Sequence, residues 1–128
     1  MPAGRDILVG LMAAAMLSCG GDNPAGGDLT VQPISIESVD VLVMESAPPQ
    51  VSARVKGVIG DGCSELHSEA QERSGSAVRI TILRQRREQA ICIQIARLYD
   101  QTFRLAGAFP PGRYTLYVND VERPFTTQ

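Results

Sequence analysis

From Ile34 onward, apolar and polar residues alternate with a period of two over most of the chain, the signature of strands with one face buried and one wet. Ile34 and Ile36 alternate with Ser35 and Glu37, after which Val39, Val41 and Val43 continue in the opposite phase. A slip of one residue moves side chains to the other face, so a bulge is expected near Ser38. Pro48-Pro49 ends that strand, and in the next Val51, Ala53 and Val55 alternate with Ser52, Arg54 and Lys56. Gly57, Gly60, Asp61 and Gly62 mark a turn, and Leu66 and Ala70 lie among charged residues in a weak strand or irregular arm. Ser74-Gly75-Ser76 is a turn signal, followed by the clear strand pattern of Val78, Ile80 and Ile82.

Residues 88–99 fit either an amphipathic helix or extended chain; the alternating, β-branched Ile91, Ile93 and Ile95 favour strand or loop. Phe103 and Leu105 mark another strand, Pro110-Pro111-Gly112 a turn, and Tyr114, Leu116 and Val118 the strand after it. Asn119-Asp120 is a two-residue hairpin signal, with Val121, Arg123 and Phe125 returning along it. About seven short strands separated by such turns predict an all-β fold, a single antiparallel β-sandwich over residues 34–127.

The N-terminus follows a different pattern. Arg5 leads into the apolar run Ile7 to Leu17, 11 residues long, which as a helix would span about 16 Å, half of a bilayer core. Such a segment reads as an export signal rather than a transmembrane helix. Met16-Leu17-Ser18-Cys19 resembles the lipobox of bacterial lipoproteins. That resemblance implies a signal peptide over 1–18 and lipidation of Cys19. The protein would then be held on the extracytoplasmic face of the cell membrane, or on the outer membrane. Residues 20–27 contain four glycines and a proline, the composition of a flexible tether, here assigned to 19–33.

Of the three cysteines, Cys63 and Cys92 remain once Cys19 is lipidated. In an oxidising compartment they are expected to form a disulfide, worth about 3.5 kcal/mol in the chain-entropy model, with two buried free thiols as the alternative. No further ligand stands near either one, so no zinc site and no cofactor are predicted.

Twelve basic and 14 acidic residues leave a net charge of −2, which argues against nucleic acid as a partner. The run Arg84-Gln85-Arg86-Arg87 is a candidate docking patch for an acidic partner or phosphate headgroups, with a solvated strand end as the plain alternative. His67 is the only histidine; on a regular strand it would share a face with Glu65 and Glu69, a set able to bind a divalent metal weakly. A polar solvent-facing edge is the simpler account. Asp61, in Gly60-Asp61-Gly62, lacks the spaced ligands of a calcium loop and fits a tight turn. No nucleophile–base pair or paired carboxylate frame is recognisable, so a non-enzyme is expected.

The run Leu105 to Asn119, with Pro110-Pro111-Gly112-Arg113-Tyr114-Thr115, resembles the ending of small immunoglobulin-like modules of bacterial exported proteins. The resemblance implies an immunoglobulin-like sandwich in which Tyr114 packs at a corner between the sheets. Taken with Asp61-Gly62-Cys63 and the later cysteine, the chain is also similar to uncharacterised bacterial lipoproteins with one such domain, for which no activity is implied. The expected function is that of a non-catalytic binding or accessory module of the cell envelope, acting as a monomer on an unknown protein or glycan. Tyr99 is the best candidate for an exposed aromatic contact. The alternative is a secreted protease inhibitor: Asn23-Pro24 and Arg123-Pro124-Phe125 resemble loop motifs of chagasin-like cysteine-protease inhibitors. The first of these lies in the tether and the second in an expected strand.

Overall fold

A computed structural model describes residues 28–88 and 91–128; Cys19, the signal segment and Asn23-Pro24 lie outside them. The described residues form eight strands: β1 (Leu29–Pro33), β2 (Ser35–Met44), β3 (Gln50–Gly60), β4 (Ser64–Ser74), β5 (Ala77–Arg87), β6 (Arg97–Arg104), β7 (Gly112–Val118) and β8 (Val121–Thr127). They build two sheets, one of β2-β3-β6 and one of β4, β5, β1, β7 and β8. The expected all-β sandwich is therefore the observed fold, with one strand more than the alternation suggested.

The inward positions are those of the period-two pattern. Val51, Ala53 and Val55 of β3 face Val78, Ile80 and Ile82 of β5 across a core completed by Leu116, Val118, Phe109, Tyr114 and Phe125. The phase slip in β2 appears where the alternation breaks, as a register shift between Ile36 and Ser38. At this bulge β2 comes so close to β3 that a Cβ on Gly57 would collide with the Ser35 carbonyl, which is why only glycine fits there.

Three features differ from the sequence expectation. β1 occupies Leu29–Pro33, a segment assigned to the tether, so the domain begins before Ile34. The segment around Leu66 and Ala70 is a full strand of 11 residues, β4, paired with β5 from Ser64↔Arg86 to Ser74↔Ala77. Finally, one pairing is parallel, that of β5 with β7 (Ala77↔Thr115 to Ile80↔Val118).

These differences share a cause in β5, whose one edge is covered by β4 and whose other edge is divided. β7 takes the stretch Ala77–Ile80, and β1 runs antiparallel along Leu83–Arg87. β7 is only seven residues long and leaves the rest of that edge open. Unpaired backbone groups there would be costly if buried, and β1 satisfies them.

Candidate functional site

Cys63, Cys92, Arg84, Arg86, Arg87 and Tyr99 lie toward one end of the sandwich, where β3 and β5 finish and β4 and β6 begin. Cys63 and Cys92 are bonded, with S–S 2.09 Å and Cα–Cα 5.3 Å. The bond ties the turn after β3 to residues 91–96, which have no regular secondary structure and lead into β6. A backbone hydrogen bond from the Gly62 amide to the Ile93 carbonyl (2.9 Å) makes a second tie beside the disulfide.

Asp61 organises the turn itself. Its Oδ1 accepts hydrogen bonds from the Cys63 amide (3.1 Å) and the Ser64 hydroxyl (3.2 Å), as an Asx turn does. The Arg86 guanidinium grips the same carboxylate, with Nη2 at 2.8 Å from Oδ2 and Nε at 3.3 Å from both oxygens. Hydrogen bonding from Arg86 holds the Asp61 carboxyl down at about 2, against a smaller opposing effect of burial, with the Cys63 amide adding to the lowering. Arg86 also reaches Glu88 (2.9 Å) and the Cys92 sulfur (3.6 Å). Asp61, Cys63 and Cys92 lie together as a metal-ligand set would. With both sulfurs in a disulfide they offer no thiolate, however, and the carboxylate is already held by an arginine.

The arginine run is therefore not one patch. Arg84 turns inward and donates to the Ile59 carbonyl (2.8 Å) and the Gln32 side chain (3.3 Å). Arg86 is taken by Asp61, and Arg87 alone is exposed. Alternation along β5 explains the split, since neighbours in a strand point to opposite faces. Tyr99 corrects the sequence expectation more sharply. It is 5% exposed, and its hydroxyl donates to Glu69 Oε1 at 2.6 Å. Burial, then the adjacent Glu69 carboxylate, drive its phenol well above the usual tyrosine range.

The expected Glu65–His67–Glu69 face is broken by a register shift between Leu66 and Ser68. Glu65 and His67 both meet the Gln85 side chain, at 3.4 and 3.2 Å, whereas Glu69 beyond the bulge reaches Tyr99. Sequence reasoning missed what this slip accomplishes. Gln71 bonds the Arg104 carbonyl and the Ala106 amide, and Arg73 bonds the Ala106 carbonyl while its guanidinium lies 4.1 Å from the Phe109 ring centroid. Arg97 donates to the Ser64 carbonyl at 2.8 Å. Polar side chains thus close the seam between the β4 and β6 edges. Their charges made β4 look irregular, and no local pattern reveals partners in the other sheet.

A second missed feature is apolar. Ile91, Ile93, Ile95 and Leu98 are 102%, 70%, 56% and 73% exposed, and residues 91–96 are extended loop, as the alternation of the three isoleucines favoured over helix. Residues 91–96 pair with no strand, and their isoleucines are uncovered among the described residues. Elsewhere, an open cleft of about 810 Å³ lies between the β1–β2 crossing and the β7–β8 turn. Asp120 is the one ionisable residue lining it, and one carboxylate is not a catalytic set.

The corner expected of Tyr114 is present. Its hydroxyl donates to the Pro110 carbonyl at 2.6 Å, and the ring packs on Phe109 and Phe125 with centroids 5.2 and 5.4 Å away. Arg123-Pro124-Phe125 runs within β8, with Phe125 in the core.

Among known proteins, the chain is 38% identical over 86 residues to an uncharacterised 10.2 kDa protein in the HgiCIIM 5′ region of Herpetosiphon aurantiacus, covering 67% of this chain and 92% of that one. It is 34% identical over 76 residues to a second uncharacterised 10.2 kDa protein, in the HgiBIM 5′ region of the same organism, covering 59% of this chain and 93% of the relative. No solved structure matches. The model of the ORF11 beta-sandwich domain matches residues 53–127, from β3 through the last strand, and the chain belongs to that family.

Proposed function

We propose that this chain is a lipid-anchored extracytoplasmic protein whose β-sandwich serves the bacterial cell envelope as a non-catalytic binding or accessory module. The observation that carries the reading is the Cys63–Cys92 disulfide in a chain that also bears the lipobox-like Met16-Leu17-Ser18-Cys19. Structural disulfides persist in oxidising compartments, so the bond supports export, and the motif supplies the means of attachment. His67 and Glu65 meet on an exposed strand face around Gln85, a poor place for proton transfer, which favours binding over catalysis. The inhibitor alternative would need a projecting loop, and Arg123-Pro124-Phe125 lies inside a strand.

Metabolic palmitate labelling of the wild type and of Cys19→Ala in a bacterial host tests the anchor. Label on the wild type and none on the variant is the expected result. Unlabelled wild-type protein released into the medium would overturn it.

A further inference from the structure

Four large apolar side chains stand exposed on one short segment, and the segment is not loose. The Cys63–Cys92 bond and the Gly62–Ile93 hydrogen bond pin its backbone to the turn after β3. Ile91, Ile93 and Ile95 project from that pinned loop, and Leu98 follows on the outer face of β6, beside the inward Tyr99. Scattered exposed hydrophobes need no explanation, but four held out of the core within residues 91–98 do.

The place of the loop in the fold says what it faces. Leu29, the first residue of β1, pairs with Arg87 at the end of β5. Leu29, Gly62, Cys63 and Arg87 line one small cleft, and Ile93 is bonded to Gly62. The chain therefore enters the domain beside the isoleucines. The C-terminal strand finishes at the far end, where Thr127 pairs with Gly112 and β7 runs parallel to β5. From Cys19 to Leu29 is ten residues, which can span at most about 35 Å. A lipid on Cys19 would hold Leu29, and with it this end of the sandwich, within about 35 Å of the bilayer.

Charge points the same way. Residues 91–98 (Ile-Cys-Ile-Gln-Ile-Ala-Arg-Leu) contain no carboxylate and one arginine. Arg87 and Arg97 are exposed, and Asp61 and Glu88 are paired with Arg86; the exposed carboxylates of Asp28 and Glu65 stand on the β1–β4 side of this end. A run of apolar side chains that carries an arginine and no carboxylate suits the boundary between acyl chains and headgroups. Four side chains are few beside the roughly 20–30 residues a stable protein interface uses on each partner, which favours a lipid surface over a second copy.

We infer that the 91–98 segment is a membrane-contact surface. Its isoleucines enter the headgroup–acyl boundary and seat the N-terminal end of the sandwich on the bilayer that carries the anchor. The inference rests on the lipid-anchored reading above.

The chain has no tryptophan, so one introduced tryptophan reports a single position. Ile93→Trp and, as the far-end control, Ala108→Trp are prepared as the host exports them and reconstituted in phosphatidylethanolamine–phosphatidylglycerol vesicles with brominated acyl chains. A blue shift and loss of emission at 93, with neither at 108, is expected. Labelled, anchored protein with no quenching at 93 overturns the contact surface and leaves the anchor standing. If the protein proves unlipidated, the released form is added to the same vesicles. Quenching confined to 93 then supports the surface without the anchor, and its absence overturns the surface. A concentration-dependent blue shift at 93 without quenching overturns it in favour of self-association.

Discussion

The side-chain amide of Asn119 pairs with the backbone of Ile82 as a peptide group would: Oδ1 accepts from the Ile82 amide at 2.9 Å and Nδ2 donates to the Ile82 carbonyl at 3.1 Å. Nδ2 also donates to the Ile34 carbonyl at 3.1 Å, and the Asn119 amide donates to the Ile80 carbonyl at 3.0 Å. Asn119 stands where β7 stops and β1 has yet to begin along the edge of β5, and it bridges the gap in the ladder. Its φ of 51° is one that asparagine tolerates better than most residues.

Asn119→Ala removes both bonds to Ile82 and adds backbone strain. An orphaned buried donor costs about 1–3 kcal/mol, and a left-handed alanine about 1–2 kcal/mol more. Asn119→Gly keeps the backbone at ease and should lose only the first part. Urea denaturation of both variants separates the two contributions; equal stability of Asn119→Gly and wild type would refute the bridging role.

Tyr114 and Thr127 both donate to the Pro110 carbonyl, at 2.6 and 2.7 Å. Tyr114→Phe leaves that acceptor satisfied and should cost only about 0.5–1.5 kcal/mol. Tyr114→Ala also empties the space against Phe109 and Phe125 and should cost about 3–5 kcal/mol. Thermal melts of the two variants should differ accordingly.

Removal of the disulfide through Cys63→Ser should lower stability by about 3.5 kcal/mol in oxidising buffer. In reducing buffer wild type and variant should melt together. A variant equally destabilised in both would place the effect in packing rather than in the crosslink.

The Asp61 carboxyl, held at about 2 by Arg86, makes stability depend on acid. Its folded value lies below its unfolded value, so its contribution is complete above the ordinary aspartate range near pH 4 and is lost as pH falls toward 2. Denaturant midpoints of wild type should decline through that window. Asp61→Asn should be less stable at neutral pH and show a shallower decline.

The amino-acid sequence by itself determined which residues go inward, where the chain turns and which cysteines could pair. The alternation of Val51, Ala53 and Val55, the slip near Ser38, the Asn119-Asp120 hairpin and the Tyr114 corner all depend on residues close along the chain, where side-chain period and turn chemistry act directly. Only the tertiary structure decided what β5 would carry on its second edge. The parallel β7, the early strand at Leu29 and the side chain of Asn119 meet there across separations such as the 85 residues between Asn119 and Ile34. It also decided that Glu69 would meet Tyr99 rather than His67, that Arg84 and Arg86 would be engaged by the Ile59 carbonyl and the Asp61 carboxylate, and that three alternating isoleucines would stay exposed. A period states that a face is apolar; whether another sheet lies against that face depends on partners distant in sequence, which no local pattern encodes.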